Sequence, residues 1–161
     1  KKLEKLSKKT YGYDYKNRDK NLSTVSNFEL CQDLSSFYQN INILSINIPL
    51  CDNTINFISD TEFNLMQPRT ILINTARGKI IDEAALLRAL SNGTIDNAAL
   101  DVLAEEPPFY IDPIKCNYSH PFINHPKIFY TPHIAAGTYD SLREVAITMV
   151  KNIKKEVFNN E

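Results

Sequence analysis

A chain of 161 residues is long enough for one domain with a real core, and a 43% hydrophobic content argues against disorder. Eighteen Lys and Arg against nineteen Asp and Glu leave a formal net charge of -1, which excludes bulk attraction to nucleic acid or an anionic membrane. The apolar runs are too short to span a bilayer, and no secretory leader is visible.

In chain order, the basic opening at 1–9 reads as the solvated end of an amphipathic helix, with Leu3 and Leu6 facing inward. Residues 10–15 form a short strand candidate with Asp14 at its end, and 29–32 is a weaker extended piece. A short helix is expected over 34–40, then a β-branched strand over 41–48 that Pro49 stops. Ser59 and Glu62 have capping-box spacing, and the helix they open must be short because Pro68 follows. The unbroken apolar run at 70–74 suits a strand buried on both faces.

Asp82 is the expected N-cap of a helix through Ser91, with an apolar stripe at Leu86, Leu87 and Leu90 and an αL stop at Asn92-Gly93. A strand follows at 98–102. Residues 105–126 carry five prolines and read as a long irregular connection. The strand at 127–130 ends at Pro132, and Thr138 caps a long last helix. In that helix Leu142, Val145, Met149, Ile153 and Val157 recur at three- and four-residue spacing, which predicts a core-facing stripe. Alternating strands and helices of this kind predict an α/β fold, a three-layer Rossmann-type parallel sheet.

Cys31, Cys51 and Cys116 are odd in number and far apart, a pattern of reduced thiols in a cytoplasmic protein. No set of cysteines and histidines has metal-ligand spacing.

Asp14, the 74–77 segment, Asp101 and His133 all fall just beyond expected strand ends, where open α/β sheets bind ligands. Asp14 suits a ribose, or is a turn-forming surface carboxylate. Arg77 suits a bidentate clamp on a carboxylate, or is a surface ion-pair residue. His133 suits a general acid near neutral pH, with Glu105 or Glu106 as its carboxylate partner. His120 and His125, each followed by Pro, read as structural or surface residues.

Residues 74–86 (Asn-Thr-Ala-Arg-Gly-Lys-Ile-Ile-Asp-Glu-Ala-Ala-Leu) closely resemble the second signature of the NAD-dependent D-2-hydroxyacid dehydrogenases. Residues 98–108 resemble the third signature, 131–138 the catalytic-histidine motif, and 43–50 with Thr54 the strand and loop beside the nicotinamide. The resemblance implies hydride transfer between NAD and a small 2-hydroxy or 2-keto acid, in a protein that commonly forms a homodimer. Arg77 would bind the substrate carboxylate. His133 would exchange the proton, paired with Glu106. Asp101 would hold the nicotinamide carboxamide and Asp14 the adenosine ribose. Pro49, Thr75, Ala76, Ala135 and Ala136 would line the cofactor. Leu103 with Pro107-Pro108 leans toward glycerate or hydroxypyruvate reductase-like members, while Asn47 stands where many relatives carry His.

The family's first strand and its Gly-x-Gly-x-x-Gly loop find no match here, since Gly12, Gly78, Gly93 and Gly137 are the four glycines and none form that motif. The resemblance therefore implies a partial NAD-binding domain over 1–161, without a substrate domain. The missing strand would lie between the strand ending near Asp14 and the one at 41–48, leaving two open edges. The alternative reading is a truncated, catalytically inactive paralogue with a structural or regulatory role.

Overall fold

The computed structural model describes residues 7–14, 27–106 and 118–158. Strand β1 (Thr10–Gly12) pairs in parallel with β2 (Phe28–Leu30), Thr10 opposite Phe28 and Gly12 opposite Leu30. Helix α1 (Leu34–Gln39) then leads into a second sheet of four parallel strands in the order β3-β4-β5-β6. These are β3 (Ile43–Ile46), β4 (Thr70–Asn74), β5 (Ile95–Leu100) and β6 (Ile128–Tyr130). Parallel neighbours cannot be joined by a tight turn, so each pair is linked by a crossover. Helix α2 (Asp60–Phe63) lies in the crossover from β3 to β4, and α3 (Glu83–Asn92) in that from β4 to β5. The result is an α/β fold in which a parallel sheet is flanked by helices, a partial Rossmann-type arrangement.

The break between the two sheets falls where the family resemblance implies it. Among the described residues, β1 pairs only with β2 and β3 pairs only with β4, so each keeps one open edge.

Local chemistry explains the elements around the site. The Asp82 carboxylate caps α3, accepting from the Ala84 and Ala85 N–H groups at 2.9 and 3.1 Å. Gly93 ends the helix at φ 82°, the left-handed turn that favours glycine. Ala85, Leu86, Ala89 and Leu90 face inward and are buried against Leu44, Leu72, Ile95 and Leu100 in one core. Glu62 accepts from the Ser59 N–H at 2.9 Å, closing the expected capping box on a helix of one turn.

Strand β4 is buried on one face rather than both: Thr70, Leu72 and Asn74 are buried, whereas Ile71 is 38% exposed. Two further expectations need correction. Strand β5 starts at Ile95 rather than 98 and ends at Leu100 rather than 102. Polar Asp96 and Asn97 sit at a register shift against β4 and hide the start, and Asp101, whose N–H still donates to the Asn74 carbonyl at 2.9 Å, turns its carboxylate to the 131–135 segment. The second correction concerns α4 (Tyr139–Phe158). Thr138 does cap it, accepting from the Ser141 N–H at 3.2 Å. Its apolar stripe does not face the core: Leu142, Val145, Met149 and Ile153 are 57–60% exposed. Helical periodicity fixes which side is apolar but not what meets it. Of the expected N-terminal helix end, 1–6 lie outside the described residues and 7–9 are not helical. Of the long connection, 107–117 lie outside them too, and Val157 belongs to the part of α4 whose side chains are not described.

Candidate active site

Because all strands are parallel, the carboxyl ends of β4, β5 and β6 open on the same side. The segments that leave them carry the polar residues. At the end of β4, Asn74 is fully buried and folds the following turn around its amide. Its Oδ1 accepts from the Ala76 N–H at 2.9 Å, and its Nδ2 donates to the Arg77 carbonyl at 3.0 Å. Arg77 is thereby carried to the surface, where one of its five donors, on Nη1, meets the Ala76 carbonyl at 2.6 Å.

Asp101, just past β5, is 4% exposed, and it seats the histidine turn. Its Oδ1 accepts from the Thr131 hydroxyl at 2.5 Å and the Ile134 N–H at 3.0 Å, and its Oδ2 from the Ala135 N–H at 3.0 Å. The Asp101 carbonyl accepts from the His133 N–H at 2.8 Å. His133 itself has φ 53°, a left-handed conformation that costs a non-glycine residue about 1 kcal/mol or more. Successive N–H groups of such a turn converge into an anion-binding concavity, and the Asp101 carboxylate fills it. Three charge-assisted hydrogen bonds, at about 1.5–3 kcal/mol each, outweigh the backbone strain.

The turn aims His133 at Glu106, whose Oε1 lies 2.7 Å from His133 Nδ1. A carboxylate only accepts, so Nδ1 carries the proton of that bond. Of the two glutamates that could have partnered the imidazole, Glu105 points elsewhere. It is exposed, and its Oε1 lies 3.9 Å from Lys79 Nζ.

Thr75, Arg77, Asp101, His133, Ala135 and Ala136 line one open cleft of about 290 Å³. Asp14, Pro49 and Ala76 do not line it, and Glu106 lines a neighbouring cleft with Lys79, Ala104, Glu105 and Tyr118. Asp14 lies two residues past β1 and is exposed, and the exposed Pro49 offers its carbonyl to the Thr54 hydroxyl at 2.8 Å. The structural work of Asn74 and Asp101 was not read from the sequence. The one signal for it is a polar residue directly after an apolar strand, where burial forces it to find partners. Among the described residues no group of three His, Cys, Asp or Glu is placed to hold a metal ion.

A parallel α/β sheet with a polar cleft at its strand ends is the arrangement in which open α/β domains bind their ligands. The chain belongs to the D-isomer specific 2-hydroxyacid dehydrogenases, the model of whose NAD binding domain matches residues 1–135. Glycerate dehydrogenase of Methylorubrum extorquens is 36% identical over 122 residues, covering 76% of this chain and 37% of that protein. A glyoxylate reductase of Thermofilum pendens is 32% identical over 153 residues, covering 95% of this chain and 42% of the relative. Among solved structures, the holo form of Rhodotorula graminis D-mandelate dehydrogenase superposes with a TM-score of 0.78 at 25% identity, over 95% of this chain and 42% of that one. D-Lactate dehydrogenase of Aquifex aeolicus, solved with NAD and lactic acid, gives 0.74 at 26% identity, over 92% and 46%. The chain thus spans less than half the length of these relatives.

NAD is the cofactor of the domain this chain matches. The nicotinamide side fits what the cleft offers. Three donors leave the Asp101 carboxylate about one of its four acceptor positions for a carboxamide. The diphosphate side finds no glycine loop, since the four glycines are scattered singly through the chain.

Proposed function

We propose that the protein carrying this chain is an NAD-dependent dehydrogenase of a small 2-hydroxy or 2-keto acid, with Arg77, Glu106 and His133 as its catalytic residues. In this reading the Arg77 guanidinium grips the substrate carboxylate through paired N–H donors and orients its carbonyl. In reduction His133 Nε2 gives its proton to the carbonyl oxygen, and in oxidation it takes the hydroxyl proton back. Glu106 holds the ring by Nδ1 and would favour the protonated imidazole that such a step needs. When bound, NAD supplies the hydride in one direction and accepts it in the other. Thr75, Ala76, Ala135 and Ala136 would line its nicotinamide side, Asp101 would take the carboxamide, and Asp14 and Pro49 would meet the adenosine ribose and the ring. The protein would work in the cytoplasm as a homodimer, on acids of the glycerate, glyoxylate or hydroxypyruvate kind.

The observation that carries this reading is the 2.7 Å His133–Glu106 pair beside Arg77 at the same strand ends. Its test is Arg77→Ala in the intact protein. Turnover of glyoxylate or hydroxypyruvate should fall by about 10³-fold, because a bidentate, charge-assisted contact to the reacting acid is lost. Near-unchanged rates would remove Arg77 from this role.

A second reading, a catalytically silent structural partner, draws on the open edges at β1 and β3. An intact protein that assembles with related subunits yet reduces none of these acids would favour it.

A further inference from the structure

Glu83, the first residue of α3, is only 22% exposed in its side chain, and both of its oxygens are engaged. Its Oε1 accepts from the Ala104 N–H at 2.8 Å, and its Oε2 lies 3.0 Å from His120 Nε2. The His120 side chain is 12% exposed. Its ring stacks on Tyr118 at 6.1 Å between centroids and meets the edge of Phe122 at 4.9 Å. His120 Nδ1 accepts from the Phe122 N–H at 3.2 Å, so Nδ1 carries no proton and Nε2 donates to Glu83. The tautomer is therefore fixed by its two partners.

Ala104 and Glu105 form the turn that delivers Glu106 to His133. Three further contacts hold that turn. Tyr118 donates its hydroxyl to the Glu105 carbonyl at 2.8 Å, and burial pushes that phenol up to about 12, which keeps the donor protonated. Gly78 lies directly beneath it, where an added Cβ would stand 1.9 Å from the Leu103 carbonyl carbon and 2.3 Å from the Ala104 nitrogen. Lys79 approaches Glu105 at 3.9 Å. Of these contacts, the Glu83 carboxylate is the one that ties the turn to both a helix and a second loop.

We propose that Glu83 and His120 are a positioning pair for the dehydrogenase reaction, which fixes the 104–106 turn and through it the Glu106–His133 contact. The proposal rests on the catalytic reading given above. Neither residue reaches the cleft, so they act through Glu106.

The sharp test is Glu83→Gln. An amide at position 83 must turn one N–H donor toward either the Ala104 N–H or the His120 Nε2–H. Moving the ring proton to Nδ1 only sets it against the Phe122 N–H. The double variant E83Q/H120E restores a consistent set: the amide oxygen takes the Ala104 N–H, its NH2 donates to the new carboxylate, and that carboxylate's other oxygen takes the Phe122 N–H.

The chain has only three histidines, so long-range 1H–15N spectra of histidine-labelled protein resolve each ring. E83Q should shift the signals of His133 as well as those of His120, and E83Q/H120E should return His133 toward its original position. In the intact enzyme E83Q should lower kcat by about 10- to 100-fold with little change in KM for NADH, since a misplacement near 1 Å costs that much. The double variant should recover most of that loss. If E83Q moves only the His120 signals, or if kcat is unchanged in folded E83Q, the positioning role is overturned. If the intact wild-type protein turns over no 2-keto acid, the catalytic reading fails instead, and the His133 spectrum still judges the pair.

Discussion

The two thiols among the described residues sit in opposite environments. Cys51 is exposed, and the Thr54 hydroxyl 3.5 Å from its sulfur, together with the Asn53 N–H, holds its thiol below the usual range. Cys31 is half-buried, and burial pushes its thiol up, helped by the nearby Glu29 and Asp33 charges. The thiolate is the nucleophile, so the lowered group reaches its reactive form at the lower pH. Iodoacetamide labelling followed by peptide mapping should modify Cys51 first as pH rises toward about 8, with Cys31 lagging behind. Equal rates at the two positions would contradict these environments. At the same scale, the site was legible where a residue's chain position alone implied its place. Arg77 and His133 stand at strand ends, and apolar runs mark those ends plainly. The choice between Glu105 and Glu106 was not legible from composition, because it depends on which way one turn faces. Nor was the seat that Asp101 makes, whose partners are N–H groups 33 and 34 residues away.

Two glycines show how one residue type serves two elements for different reasons. Gly93 ends α3 at φ 82°, and an added Cβ there would meet nothing within 4 Å. Gly93→Ala should therefore cost only the strain of the left-handed backbone, about 1 kcal/mol. Gly78 has the opposite problem: the backbone of 103–104 crosses directly over it, at distances no side-chain rotation can relieve. Gly78→Ala must push apart the segments that carry Arg77 and Glu106, and should cost about 3 kcal/mol or more. Denaturant midpoints for the two variants would check the ranking, and a Gly78→Ala protein as stable as Gly93→Ala would break it. Capping rules made α2 and α3 readable, because Ser59, Glu62, Asp82 and Gly93 act within one turn of their own helices. Helix α4 was readable as a helix but not in its placement. The spacing of Leu142, Val145, Met149 and Ile153 carries no information about a partner surface.

For the molecule as a whole, the governing fact is a sheet in two pieces. Four strands in chain order gather Arg77, Asp101 and His133 at one edge of the core, while β1 and Asp14 belong to a separate pair of strands. Non-local strand order was legible only through the resemblance, since no local pattern says which strand lies beside which. The cleft holds a buried carboxylate, Asp101, and the imidazole of His133, which Glu106 meets at 2.7 Å. The diphosphate side requires several backbone N–H groups converging at a helix start after a glycine turn, and the chain's four glycines form no such motif. Losing two or more charge-assisted hydrogen bonds of about 1.5–3 kcal/mol each should weaken binding by on the order of 10³-fold or more. Calorimetric titration of the 161-residue chain with NADH should therefore show weak, unsaturated heats, whereas the intact protein should bind it saturably. Tight, saturable binding by the chain alone would mean that the described cleft supplies the diphosphate contacts by another route.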